Sequence, residues 1–341
     1  MIQLFPGRRF LFILPLLFLW TILFQGIPEA PAENSREFKD WLKDFKKEAL
    51  STGISANTLD NALTGIDYNS RVIELDRNQP EFKLTLSEYL DRMVSDSRIK
   101  KGREKLNANL DLLKKIQKRY GVPPRYLVAL WGMESGYCRN TGDFDIVEAL
   151  ATLSYDPRRS LFFKKELLAA LHLLDHNSVS LAELKGSWAG ALGCLQFLPS
   201  VFLEHGVDFN KDGRLEVFKA GGDLFASGAS YLKESGWQTG SSWGAEVLVP
   251  GSIDQKLLSS REPQPVSFWL EHGVEFKDSN KNPGENVRAS LIQPDDRERR
   301  YFLIFGNFNV LLKWNRSDYY AIAAGILADR IKKKNRGGID H

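Results

Sequence analysis

The sequence predicts a mainly α-helical α+β protein with a small β-containing lobe. Apolar residues recur at helical spacing through residues 35–118 and again over 145–176 and 219–235. Between 238 and 306 the pattern changes to short β-branched and aromatic runs separated by Pro, Ser and Gly. Residues 317–333 return to one amphipathic helix. The chain has 341 residues, 43% hydrophobic and 26% charged, which is globular rather than disordered composition. A net charge of +3 excludes the electrostatic footprint of a nucleic-acid-binding protein.

At the N-terminus, Arg8 and Arg9 precede "FLFILPLLFLWTILF", residues 10–24. This run is short for a membrane span and the right size for a signal-peptide core. Ala30–Ala32 offers a small-x-small cleavage site. The expectation is export, with residues 1–32 as signal peptide and 33–341 as one catalytic domain. The alternative is an uncleaved N-terminal anchor.

"REFKDWLKDFKKEAL" sets Phe38, Trp41, Leu42 and Phe45 at helical spacing. "ISANTLDNALTG" opens with Ser55 as N-cap and stops at Gly65. Residues 85–118 hold one or two more helices, and Pro123-Pro124 starts the next one. Residues 145–176 read as helical, with a new start at Asp156-Pro157. "KGSWAGALGCLQFLPS", 185–200, is a glycine-rich loop in which backbone approaches something closely. Residues 219–235 are helical. "AEVLVP", "VRASLIQ" and "YFLIFG" are strands of the β-rich segment 238–310. Ser317 caps the last helix, and the basic tail from Lys332 is solvated.

The helix after Pro124, "RYLVALWGMESGYC", carries one carboxylate. Tyr126–Met133 holds no charge, and Leu127, Leu130 and Trp131 share the face of Glu134. Such a group is paired, neutral or working. Burial raises a carboxyl pKa, and an acid still protonated near neutrality can protonate a leaving-group oxygen. The alternative is a carboxylate turned to solvent at a helix end. Asp143, Asp145 and Glu148 lie beyond Gly136 and Gly142, and Asp145 and Glu148 read as the start of the following helix.

Five segments occur in order: "ESGYC", "ALATLSYDPRRSLFFKKEL", "GSWAGALGCLQFLPS", "VDFNKDGR" and "KWNRSDYYAIAAGILADRI". Together, over residues 80–335, they resemble the membrane-bound lytic murein transglycosylase B family of glycosidases. The resemblance implies a lysozyme-like helical fold with a small β lobe. It implies cleavage of the MurNAc–GlcNAc β-1,4 bond of peptidoglycan without water, giving 1,6-anhydro-MurNAc ends. A single acid–base group, Glu134, would serve, in place of the carboxylate pair of ordinary glycosidases. A hydrolase of the same bond and an inactive peptidoglycan-binding module are the alternatives.

Residue by residue, the resemblance places Ser187, Gln196, Tyr89, Tyr231 and Asn315 in the substrate cleft, with Trp314 stacking on a sugar. Arg158 and Arg159 match paired arginines that would meet a substrate carboxylate. Each also has a plainer reading: turn serine, surface amide, core aromatic or solvated helix start. Peptidoglycan strands are the expected partner, with cell-wall synthesis or lysis proteins as further partners. A periplasmic monomer with no required cofactor is expected.

"DFNKDGRLEVFK" has the EF-hand spacing, with Asp208, Asn210, Asp212, Arg214 and Glu216 at positions 1, 3, 5, 7 and 9. Position 12, which should be acidic, is Lys219. Its ammonium would repel calcium or replace it by pairing with Asp208 and Asp212. Finally, the family fold implies that Cys138 and Cys194 line one cleft. A disulfide there would close a loop of roughly 55 residues, stabilise by ~4 kcal/mol and fix the Glu134 helix. Two separate buried thiols are the alternative.

Overall fold

Helical spacing becomes helix over most of the chain. The computed structural model describes residues 32–78, 84–176 and 178–332. The expected export segment, up to residue 31, and the tail from 333 lie outside the described residues. No helix among the described residues is long and apolar enough to cross a membrane. The described residues form two units, one of 32–240 together with 324–332, the other of 241–323.

The larger unit is helical: α1 (Ala32–Ser51), α2 (Ala56–Leu63), α3 (Ser70–Arg77), α4 (Leu86–Met93), α5 (Asp96–Ala108), α6 (Leu110–Tyr120), α7 (Pro124–Ser135), α8 (Ile146–Tyr155), α9 (Ser160–Asp175), α10 (Pro199–His205) and α11 (Gly222–Glu234). Two short strands, β1 (Phe144–Asp145) and β2 (Lys185–Gly186), pair antiparallel. Local chemistry sets the helix starts. Ser55 accepts the N–H of Thr58, Thr85 and Glu88 form a capping box, and Asp145 accepts the N–H groups of Val147 and Glu148. Caps of this kind stabilise by about 1 kcal/mol each. The helix expected from Asp156-Pro157 begins at Ser160 instead. Asp156 takes an extended conformation as the C-cap of α8, and its carboxylate accepts the N–H of Arg158.

The smaller unit holds a five-stranded antiparallel sheet of β3 (Gly244–Leu248), β4 (Gln264–Pro265), β5 (Glu275–Phe276), β6 (Arg288–Ile292) and β7 (Tyr301–Ile304), in the order β4-β6-β7-β3-β5. The three expected strands are β3, β6 and β7. Two six-residue helices, α12 (Gln255–Ser260) and α13 (Val266–Glu271), interrupt the segment read as β-rich. They are too short for helical periodicity to register. Val247, Trp269, Leu291 and Leu303 pack in the unit's buried core, and Trp269 donates its indole N–H to Ala289 O. α14 (Gly306–Trp314) and the first part of α15 (Asp318–Ile331) follow.

Candidate active site

α7 is the element that carries Glu134, and its sequence explains its placement. Pro123 and Pro124 start the helix, and Gly136 ends it in the left-handed conformation at φ 58°. Every residue from Tyr126 to Ser135 is buried, so α7 runs through the helical core with apolar side chains all round. Glu134 is only 9% exposed.

The chain does not continue as helix to Cys138. Tyr137 (φ 68°) and Cys138 (φ 65°) follow Gly136 in the left-handed region. The Ser135 hydroxyl donates to Cys194 O at 2.6 Å and accepts the N–H of Cys138 at 2.9 Å. Cys138 and Cys194 are joined as a disulfide, their Cα atoms 4.7 Å apart. The Trp131 indole N–H points at Cys138 Sγ, 3.0 Å away.

The partner segment is the glycine-rich loop. Gly142 and Gly186 pass backbone to backbone, and a Cβ on Gly142 would sit 2.1 Å from Gly186 O. Ser187 is buried and closes a local turn: its hydroxyl accepts the N–H of Ala191 at 3.0 Å. Gln196, at φ 49°, donates both side-chain amide hydrogens, to Thr141 O and to Gly193 O, each at 2.9 Å. Two carbonyl partners fix which end of the amide is which, and they leave the side-chain oxygen as an acceptor. Ser135, the disulfide and Gln196 thus stitch residues 135–141 to residues 193–196.

Tyr89, on α4, is buried, and its phenol is pushed well above its ordinary pKa, first by burial and next by the charge of Glu134. It is a neutral hydroxyl within the field of that carboxylate. Other buried carboxylates are engaged by the fold. Asp76 pairs with Arg158 and Arg159, and Asp156 with Arg77. Glu166 accepts the N–H and hydroxyl of Ser200. Asp223 accepts the N–H groups of Phe209 and Glu216, and Asp295 holds Arg297. Asp145 and Glu148, as expected, serve α8: Asp145 caps it, and Glu148 takes a hydrogen bond from Asn69.

Arg158 and Arg159 are therefore drawn to Asp76, a structural partner the sequence reading missed. Tyr231, half-buried on α11, sets its ring edge-on to His205 at 5.1 Å. Asn315 and Trp314 belong to the smaller unit. Asn315 is buried there as the C-cap of α14, and its side-chain oxygen accepts the N–H of Ser317.

The loop at 208–219 does not fit calcium. Asp208 accepts the N–H groups of Lys211, Asp212 and Gly213. Asp212 accepts from Asn210 and from the N–H of Arg214. Lys219 pairs with Glu216 at 2.7 Å, not with Asp208 and Asp212, and Arg214 pairs with Glu183 at 2.8 Å. A pocket of about 450 Å³ opens here, with both cations in its wall. No group of three or more His, Cys, Asp or Glu side chains among the described residues could hold a metal ion.

Two residues at the site were not singled out from the sequence. Ser135 directly follows Glu134, and a small hydroxyl at a helix end beside a glycine is the signal that marks it. Tyr137 carries no such local signal. Its hydroxyl reaches Arg98 O at 2.8 Å, a contact 39 positions away.

Known proteins with related sequences and folds agree with this architecture. Residues 37–329 match the Transglycosylase SLT domain family. The chain is 30% identical over 246 residues to the membrane-bound lytic murein transglycosylase B of Escherichia coli K12. That alignment covers 71% of this chain and 66% of the relative, so the chain spans about two thirds of that protein's length. SltB3 from Pseudomonas aeruginosa, solved with NAG-anhNAM-pentapeptide, superposes with a TM-score of 0.82 at 38% identity, covering 86% of this chain and 79% of SltB3. The Escherichia coli lytic transglycosylase Slt35, solved in complex with calcium, gives 0.72 at 26% identity, covering 87% of this chain and 93% of Slt35.

Proposed function

Because the chain belongs to the Transglycosylase SLT domain family, we propose that it is a lytic transglycosylase of peptidoglycan, with Glu134 as its single acid–base group. One observation carries the assignment of Glu134. It is a buried carboxylate delivered near the end of an otherwise apolar helix.

The neutral acid is the form that can protonate the glycosidic oxygen between MurNAc and GlcNAc. The sugar's own acetamido group stabilises the cationic centre. The Glu134 carboxylate then removes the proton from the C6 hydroxyl as that oxygen closes the 1,6-anhydro ring. No water enters the products, and Glu134 regains its proton at the end of the cycle. A hydrolase would require a second carboxylate facing the bond. The commitments of the other buried acids weigh against that.

Gln196 supports the same reading. Its free carbonyl oxygen is suited to accept from an acetamido N–H or a sugar hydroxyl. Ser187, Tyr89 and Tyr231 complete the substrate contacts of the proposal. The partner is the glycan strand, met by a monomer in the periplasm after export.

Digestion of purified peptidoglycan, with mass spectrometry of the released muropeptides, tests this. Anhydro ends, one water lighter than reducing ends, are expected. Reducing ends would make the protein a muramidase, and no release would make it a binding module.

A further inference from the structure

We infer that the Cys138–Cys194 disulfide is a positioning tether for Glu134, which makes turnover depend on an oxidising compartment. The inference rests on Glu134 being the acid–base group.

The turn that follows Glu134 is unusual backbone. Gly136, Tyr137 and Cys138 are left-handed in succession, at φ 58°, 68° and 65°. Glycine accepts this freely, but L side chains disfavour it, and such residues persist only where their surroundings hold them. Tyr137 is held by its hydroxyl on Arg98 O and by its ring, edge-on to Trp131 at 5.4 Å. Cys138 is held by the disulfide and by its N–H on the Ser135 hydroxyl. The far end of the tether is fixed as well: Cys194 is fully buried and donates its N–H to Val217 O at 2.8 Å. Glu134 lies in the last turn of α7, four residues before the tether and next to Ser135, whose hydroxyl also reaches Cys194 O.

Reduction adds two electrons and two protons from a dithiol, which becomes its own cyclic disulfide. The S–S bond breaks, and the two thiols must separate to van der Waals distance. Position 138 then keeps a left-handed conformation with its main restraint gone. Relaxation there moves the end of α7 relative to residues 193–196, and with it Glu134 relative to Gln196. Small displacements of an acid–base group are costly to turnover. The chain has two cysteines in all, so a thiol reductant has one target.

The decisive comparison uses glycine, which adopts the turn untethered. Four samples of the purified protein are assayed on peptidoglycan: oxidised wild type, wild type reduced with dithiothreitol, the double variant C138A/C194A and the double variant C138G/C194A. Reduction and C138A/C194A are expected to lower kcat about tenfold or more, with KM within about twofold. C138G/C194A is expected to keep most of the wild-type kcat and to ignore the reductant. A purely stabilising disulfide would not be replaced by glycine in this way. Equal kcat for oxidised and reduced wild type overturns the tether, as does a C138G/C194A kcat as low as that of C138A/C194A. If C138A/C194A fails to fold, reduced wild type against C138G/C194A decides. Oxidised wild type that releases no muropeptide overturns the functional reading itself, a separate outcome.

Discussion

Gln196 gives one amide hydrogen to the carbonyl of Thr141, 55 positions earlier in the chain, and the other to Gly193. The two bonds orient the side chain so that only its oxygen remains to meet a substrate. Gln196→Glu puts a second oxygen against those carbonyls, where repulsion replaces two hydrogen bonds. A loss of roughly 2 kcal/mol in stability is expected, together with a fall in kcat/KM of about tenfold or more. Urea denaturation and muropeptide release measure the two effects. An unchanged kcat/KM in the folded variant would remove Gln196 from the substrate contacts.

Arg159 is mostly buried and faces the buried Asp76. Arg159→Ala leaves that carboxylate with the half-exposed Arg158 alone. Breaking a buried pair from one side costs roughly 3 kcal/mol. Thermal or urea unfolding should show this loss, while KM for peptidoglycan stays within about twofold of wild type. A KM raised tenfold without loss of stability would return Arg159 to the substrate.

Lys219 stands where an EF-hand loop has its bidentate acid, and it is paired with Glu216. The wild-type melting temperature should therefore be indifferent to calcium and to chelators. Lys219→Glu supplies the missing carboxylate and removes the ammonium. In millimolar calcium its melting temperature is expected to rise by roughly 2–4 °C over the chelated sample. A calcium response in the wild type would contradict the reading of this loop.

Glu246, on β3, is held by Arg300 at 3.0 Å and Lys277 at 2.8 Å. Burial, the largest single influence, raises its pKa, but the hydrogen bonds and charges of Arg300 and Lys277 together outweigh it, so the net shift is downward. A lowered folded-state pKa gives stability that is present above the unfolded value and is lost as pH falls through the folded one. Glu246→Gln should cost about 1 kcal/mol near neutral pH. The difference from wild type should vanish once the medium is acid enough to protonate Glu246 in the folded protein. A constant difference down to that pH would contradict the assignment.

What the sequence made legible was local chemistry. The α7 start at Pro124, the Ser55 and Asp145 caps and the strands β3, β6 and β7 follow from residue type and period. Long-range pairings did not announce themselves. Asp76 and Arg158 are 82 positions apart, and nothing in either segment's periodicity ties them. The left-handed turn at Tyr137 and Cys138 was equally hidden, because neither residue type favours it. It follows instead from tertiary contacts: the disulfide and the Tyr137 hydroxyl on Arg98 O.

The central claim is that the buried carboxyl of Glu134 moves the proton at both stages of the reaction. Glu134→Gln keeps the size and hydrogen-bonding reach of the side chain and removes its ability to exchange a proton. Its turnover on peptidoglycan and its affinity for the glycan strand should be measured together. The account predicts that anhydro-muropeptide release is lost, by about a thousandfold or more, while glycan affinity and melting temperature stay close to wild type. A Glu134→Gln protein that still releases anhydro-muropeptides at a comparable rate would contradict it.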